Sequence, residues 1–275
     1  MHDPNCPVAL LSHVLRREAK TGTHKFALLR ATAEVARTFP DLADHDRHVA
    51  VPLDTLAEYF IAYYWPFARP SRPLNQASRG TKPDGTHKSD IAFRPQLVDL
   101  IREWQAVSES AYDPSDGYRL VAMFRAFPAP YGLPTSVIDA YGAALDAAAV
   151  TIQSNPAKNI RRIERDIFQR VCRREDISHP VTDLPGTTPD ERCLLVCPGP
   201  WAVFQQHSVW VEALSVHEWC LFTEKLSHPG DCRVTREQVY ELFTARSDNR
   251  LAPTWAANRD DILRLERKHF GRSLA

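Results

Sequence analysis

The sequence predicts a mainly α-helical protein, an irregular multi-helix bundle with at most a minor strand element near 192–197. Three observations predict it. Apolar residues recur at spacings of three and four through most of the chain. Prolines and short polar runs punctuate these segments at helix-length intervals. One stretch, Arg192 to Val196 (RCLLV), carries the short run of branched apolar residues expected of a buried strand.

The elements follow in order. Val8, Leu10, Leu11, Val14 and Leu15 give a short amphipathic helix over Pro7 to Lys20. Thr23 is a suitable cap for a second helix, His24 to Phe39, which Pro40 ends. The polar run DLADHDRH reads as a solvated loop. Its His45, Asp46 and His48 have no apolar framework to hold a metal. Val51-Pro52-Leu53-Asp54 opens a third helix that turns aromatic at Tyr63-Tyr64-Trp65 and stops at Pro66. Further helices are expected over Pro95 to Val107, from the Ser115 cap to Phe127, and over the alanine-rich Thr135 to Val150. Ile160, Ile163, Ile167, Phe168 and Val171 predict a charged helix over Asn159 to Glu175. After RCLLV, the segment Trp201 to Leu226 becomes helical from about Val209, Thr235 caps another helix, and a last one runs from Asn258 to Phe270.

The proline-rich polar stretch 177–189 is the expected linker. It would divide a helical domain, 1–176, from a smaller helical subdomain, 190–275, packed on it. Lys+Arg and Asp+Glu both total 34. There is then no global field to attract a polyanion, and any such surface must come from local segregation of charge. No window approaches the apolar length of a membrane span, and the amino terminus lacks a signal-peptide pattern, so a cytoplasmic location without membrane partners is expected. The six cysteines are then reduced thiols, with Cys193 and Cys197 as packing residues.

Two cationic runs stand out against this neutral background. Between Tyr63 and Arg94 lie Arg69, Arg72, Arg79, Lys82 and Lys88, beside the ring of Trp65 and the amides of Asn75 and Gln76. Cations neutralise phosphates, rings stack on bases, and amides can read base edges. The same residues also suit a solvated loop anchored by an aromatic core. In the 159–175 helix, Arg161, Arg162 and Arg165 would share an outward face, fit for a phosphate backbone or for plain solvation. Phosphate-cradling loops, nucleophile elbows and zinc helices do not occur, and Pro189-Asp190-Glu191 lacks the acid and lysine pattern of a nuclease core. No catalytic residue, metal ligand or cofactor is assigned.

Three segments resemble the helical amino-terminal region of bacterial stand-alone HNH endonuclease-type proteins. They are HKFALLRATAEVA (His24 to Ala36), VPLDTLAEYFIAYYWPFARP with the following LNQ (Val51 to Gln76), and CLLVCPGPW leading to VEALSVHEWCLF (Cys193 to Phe222). In that family a metal-binding HNH cassette normally follows. None is present in these 275 residues, so the resemblance implies no catalytic residue here. It implies a DNA-facing role for Arg69, Arg72, Asn75, Gln76 and Arg79. The sequence therefore points to a non-catalytic DNA-binding, targeting or accessory module, in a bacterial defence or mobile-element setting. Its partners would be double-stranded DNA and a catalytic protein. The alternatives are a divergent metal-dependent nuclease and a protein-interaction subunit using helix 135–150 or the aromatic segment 201–222.

Overall fold

Helices form where the three-and-four spacing holds and end where proline or a polar turn interrupts it. The computed structural model describes residues 7–16, 21–42, 46–78, 90–108, 112–126, 132–154, 167–226, 228–229 and 233–244. The helices are α1 (Pro7–Arg16), α2 (His24–Thr38), α3 (Leu53–Tyr64), α4 (Arg94–Ser108), α5 (Asp116–Ala126), α6 (Thr135–Ser154), α7 (Pro198–Gln206), α8 (Ser208–Glu224) and α9 (Arg236–Thr244). Pro66 cannot extend α3, and Trp65–Phe67 instead closes it with a 3-10 turn. Thr235 and Gln238 cap α9 reciprocally. The Gln238 backbone N–H donates to Thr235 Oγ1 at 3.4 Å, and the Thr235 N–H donates to Gln238 Oε1 at 3.1 Å. The expected final helix, Asn258 to Phe270, lies outside the described residues.

The described chain is mainly helical, but the strand content exceeds expectation. Four strands, β1 (His48–Pro52), β2 (Phe168–Arg173), β3 (Val181–Asp183) and β4 (Arg192–Val196), form one mixed sheet in the order β2-β4-β1-β3. The predicted β4 is present. β1 replaces the end of the expected polar loop, so His48 belongs to a strand. Its ring stands edge-on to His179, with centroids 5.7 Å apart. β2 replaces the second half of the expected 159–175 helix, which is a correction with a clear cause. In β2, Phe168 pairs with Val196 and Val171 with Leu194. Three steps along β2 match two along β4, so one extra residue bulges out. The bulge turns a strand's period of two into a gap of three, and that gap reads as helix.

Side chains alternate across the sheet. Val49, Val51, Leu194, Val196 and Phe168 face the helices and join the main core. Ala50, Val181, Cys193 and Leu195 face the other way, covered by Cys172 and Ile177. The main core runs from Leu10 in α1 to Val239 in α9 without a break. The expected linker 177–189 contains β3, which pairs in parallel with β1. It is therefore part of the sheet, and the core is shared across the expected boundary.

The centre is α2, whose residues from His24 to Ala36 are all buried. It packs on α3, α7 and α8, while α3 also carries α5 and α6. A charge lies inside this packing. Arg30 is 4% exposed. Its Nη2 donates to Glu212 Oε1 of α8 at 2.8 Å, and its guanidinium carbon sits 4.2 Å from the centroid of the Tyr63 ring of α3 and 5.5 Å from that of Phe243 of α9. Burial raises the Glu34 carboxyl, with Glu212 adding to the rise and Arg30 and Arg37 opposing it. A buried cation that loses its partner keeps its desolvation cost. Glu212→Ala is accordingly expected to destabilise the protein by about 3–5 kcal/mol in urea unfolding; a loss within about 0.5 kcal/mol would show that the pair does not hold α2 to α8.

His24 opens α2 beneath Tyr64, the ring centroids 5.9 Å apart. Burial lowers its imidazole pKa to about 4, and Asp90 opposes the fall. Between about pH 4 and 6.5 the unfolded chain takes up a proton that the folded chain refuses. This contribution is full above about pH 6.5 and is lost as the pH falls toward 4, at most about 3 kcal/mol in all. Unfolding free energies at pH 7.5 and 5 should therefore differ less in His24→Gln than in the wild type; equal differences would contradict the assignment.

Candidate binding cleft

The aromatic run that ends α3 turns inward. Trp65 is fully buried. A Cβ added at Gly117 of α5 would stand 2.7 Å from the Trp65 Cβ, so this glycine is required for α5 to pass so close. Trp65 was expected to wall the basic loop as a stacking surface. The structure corrects this, because a ring inside the core cannot receive a base.

The loop after Trp65 is held by its own polar groups. Arg94 pairs with Asp90 and donates to the carbonyls of Phe67 at 2.8 Å and Leu74 at 2.7 Å. Asp90 Oδ1 accepts the backbone N–H groups of Gln76 at 2.5 Å and Ala77 at 2.7 Å. Arg94 therefore serves the fold, and Asp90 answers its charge. The Gln76 side chain is consumed at both ends. Its Nε2 donates to the Asn75 carbonyl at 2.9 Å, and its Oε1 accepts the Trp219 indole N–H at 2.5 Å. Asn75 is 4% exposed. Its backbone N–H donates to His228 Nδ1 at 3.0 Å, while His228 Nε2 faces the Thr223 carbonyl at 3.1 Å. This geometry requires a neutral imidazole protonated at Nε2. Asn75 and Gln76 were expected to read base edges. They are instead interior residues, because a loop this close to the core must satisfy its own backbone.

Arg69 and Arg72 remain exposed. Both line a cleft of about 220 Å³ between this loop, the turn before α5 and the face of α9. Pro66, Leu74, Tyr112 and Pro114 form one side, and Val234, Gln238, Glu241 and Leu242 the other. The Arg69 guanidinium carbon lies 5.4 Å from the Tyr112 ring centroid. The Tyr112 hydroxyl donates to the Trp65 carbonyl at 2.5 Å, fixing the ring as a wall. Burial raises the Tyr112 phenol, with Arg69 opposing, so the ring stays neutral. The cleft thus joins two guanidinium groups that can fork onto anionic oxygens, a flat apolar wall, and an amide and a carboxylate opposite.

Sequence reasoning did not single out Tyr112, Gln238 or Glu241. A tyrosine in the polar run AYDPSDG is the single usable signal, since a ring among polar residues carries apolar area that some neighbour must cover. No spacing relates that turn to α9, more than a hundred residues on. Of the other expected contacts, Arg79, Lys82, Lys88, Arg161, Arg162 and Arg165 lie outside the described residues. Among the described residues no group of three or more His, Cys, Asp or Glu side chains could hold a metal ion, and no helix is long and apolar enough to cross a membrane. No curated protein and no solved structure matches the chain. A family model described as "Domain of unknown function (DUF8808)" matches residues 5–243, and the chain belongs to that family.

Proposed function

We propose that the protein is a nucleic-acid-binding module, with Arg69 and Arg72 receiving backbone phosphates of double-stranded DNA at the mouth of the cleft. The observation that carries the proposal is the exposure of both guanidinium groups on one concave surface beside a fixed aromatic ring. Forked donors suit phosphate oxygens, and a neutral ring tolerates the sugar or base next to them. The resemblance to the helical region of HNH endonuclease-type proteins adds the DNA context. A module of this kind would serve as a targeting or accessory unit for a catalytic partner. The role expected of Asn75 and Gln76 passes to Gln238, whose Nε2 can donate while its Oε1 caps α9, and to Glu241, whose carboxylate can accept from a base edge.

A second reading has its own observation. Val209 and Trp210 begin α8 with their side chains in solvent, 72% and 37% exposed, and this exposed apolar pair favours a protein partner on that face.

The two readings separate in one experiment. Fluorescence anisotropy with a labelled duplex is measured for the wild type and for the Arg69→Glu/Arg72→Glu variant over about 50–200 mM salt. Binding by the wild type should weaken steeply with salt. The variant should bind at least about tenfold more weakly at the lowest salt and lose about two units of the slope of log K against log salt. Its melting temperature should match the wild type, because both side chains lie at the surface. A wild type without affinity for duplex at the lowest salt would end the DNA reading. An unaltered slope would place any DNA contact elsewhere.

A further inference from the structure

Cys172 of β2 and Cys193 of β4 are direct partners across an antiparallel pair of strands. Their side chains leave the sheet on the same face, within the small apolar cluster built on Ala50, Val181 and Leu195. Residues so paired have Cα atoms about 4.5–5.5 Å apart. Disulfides span Cα separations of about 4.4–6.8 Å but need Cβ atoms about 3.5–4.5 Å apart, so closing a bond here draws the two strands slightly together. The two thiols differ in access. Cys193 is buried, its sulfur 3.8 Å from the Glu191 carbonyl, whereas Cys172 is half-buried. Arg174, paired with Asp183, adds a cation whose charge reaches both sulfurs. Cys220 is buried in the main core, and Cys197 lies beyond the end of β4.

We infer that Cys172 and Cys193 form a reversible two-electron thiol–disulfide couple, a site of oxidative modification on the outer face of the sheet. The oxidant is a small disulfide such as oxidised glutathione. Cys172, the accessible partner, gives up its proton to solvent, and its thiolate attacks one sulfur of the oxidant. One glutathione thiolate leaves, and a mixed disulfide remains on Cys172. Cys193 then loses its proton and attacks the Cys172 sulfur, expelling the second glutathione thiolate. Two protein thiols have become one disulfide, and one oxidised glutathione has become two reduced ones. Burial pushes the Cys193 thiol up to about 12, so closure of the bond is the slow step and quickens as the pH rises. The bond ties the edge strand β2 to β4.

The test uses the full chain, incubated with oxidised glutathione at pH 8, blocked with N-ethylmaleimide, digested without reduction and analysed by mass spectrometry. The expected product is a peptide pair joining Cys172 to Cys193, with an intact mass lower by about 2 Da and two fewer titratable thiols, all reversed by dithiothreitol. In Cys193→Ala the mixed disulfide on Cys172 should persist, and in Cys172→Ala Cys193 should stay unmodified; circular dichroism confirms that each variant is folded. Persistence of the mixed disulfide in the wild type, a bond between other cysteines, or six unreacted thiols would each overturn the inference.

Discussion

One buried charge fixes how the helices meet. Arg30 lies halfway along the central helix α2, where water cannot solvate it. The cation is retained because Glu212 reaches it from α8 while Tyr63 of α3 and Phe243 of α9 supply ring faces. Four helices therefore converge on one side chain. A shift of one helical turn in any of them would strand the charge, which adds a constraint on their register to that of apolar packing. The cleft inherits that constraint. Its far wall is α9, and α9 is positioned through Phe243, which also packs edge-on against Trp219 and Phe67.

The loop after α3 shows a second use of polar residues. Arg94, Asp90, Gln76 and Asn75 form a clamp that satisfies the loop's backbone and ties it to α8 through Trp219 and to residue 228 through its imidazole. Once these groups are engaged inward, Arg69 and Arg72 are left at the rim. The division is chemical as well as spatial. The residues that hold the loop bond to backbone carbonyls and N–H groups, while the rim residues face solvent beside Tyr112.

The helices were legible because burial on one side of a helix leaves a period in the sequence, as in α4 and α6. The strands were less so. β1 reads HVAVP, five residues ending in a proline that, by sequence alone, marks the start of a helix. β3 is three residues inside a polar stretch. The bulge in β2 disguised its period, so Phe168 and Val171 imitated a helical stripe. For the site, charge segregation pointed to a loop whose Arg69 and Arg72 line a cleft. Composition could not show which of the loop's polar groups would be turned inward, since that depends on Asp90 and Trp219 arriving from elsewhere in the chain. Nor could it show the opposite wall, which belongs to α9.

The sheet order also governs how this chain is made. β1 lies between β3 and β4, so both of its hydrogen-bonding neighbours come from beyond residue 180. On a ribosome adding about 5–20 residues per second, the apolar strand Val49–Val51 waits on the order of ten seconds for a partner. During that interval it has two bare edges, and a nascent chain in that state attracts chaperones and neighbouring chains alike. Among the described strands, β1 can take its place in the sheet only once β3 and β4 have been made.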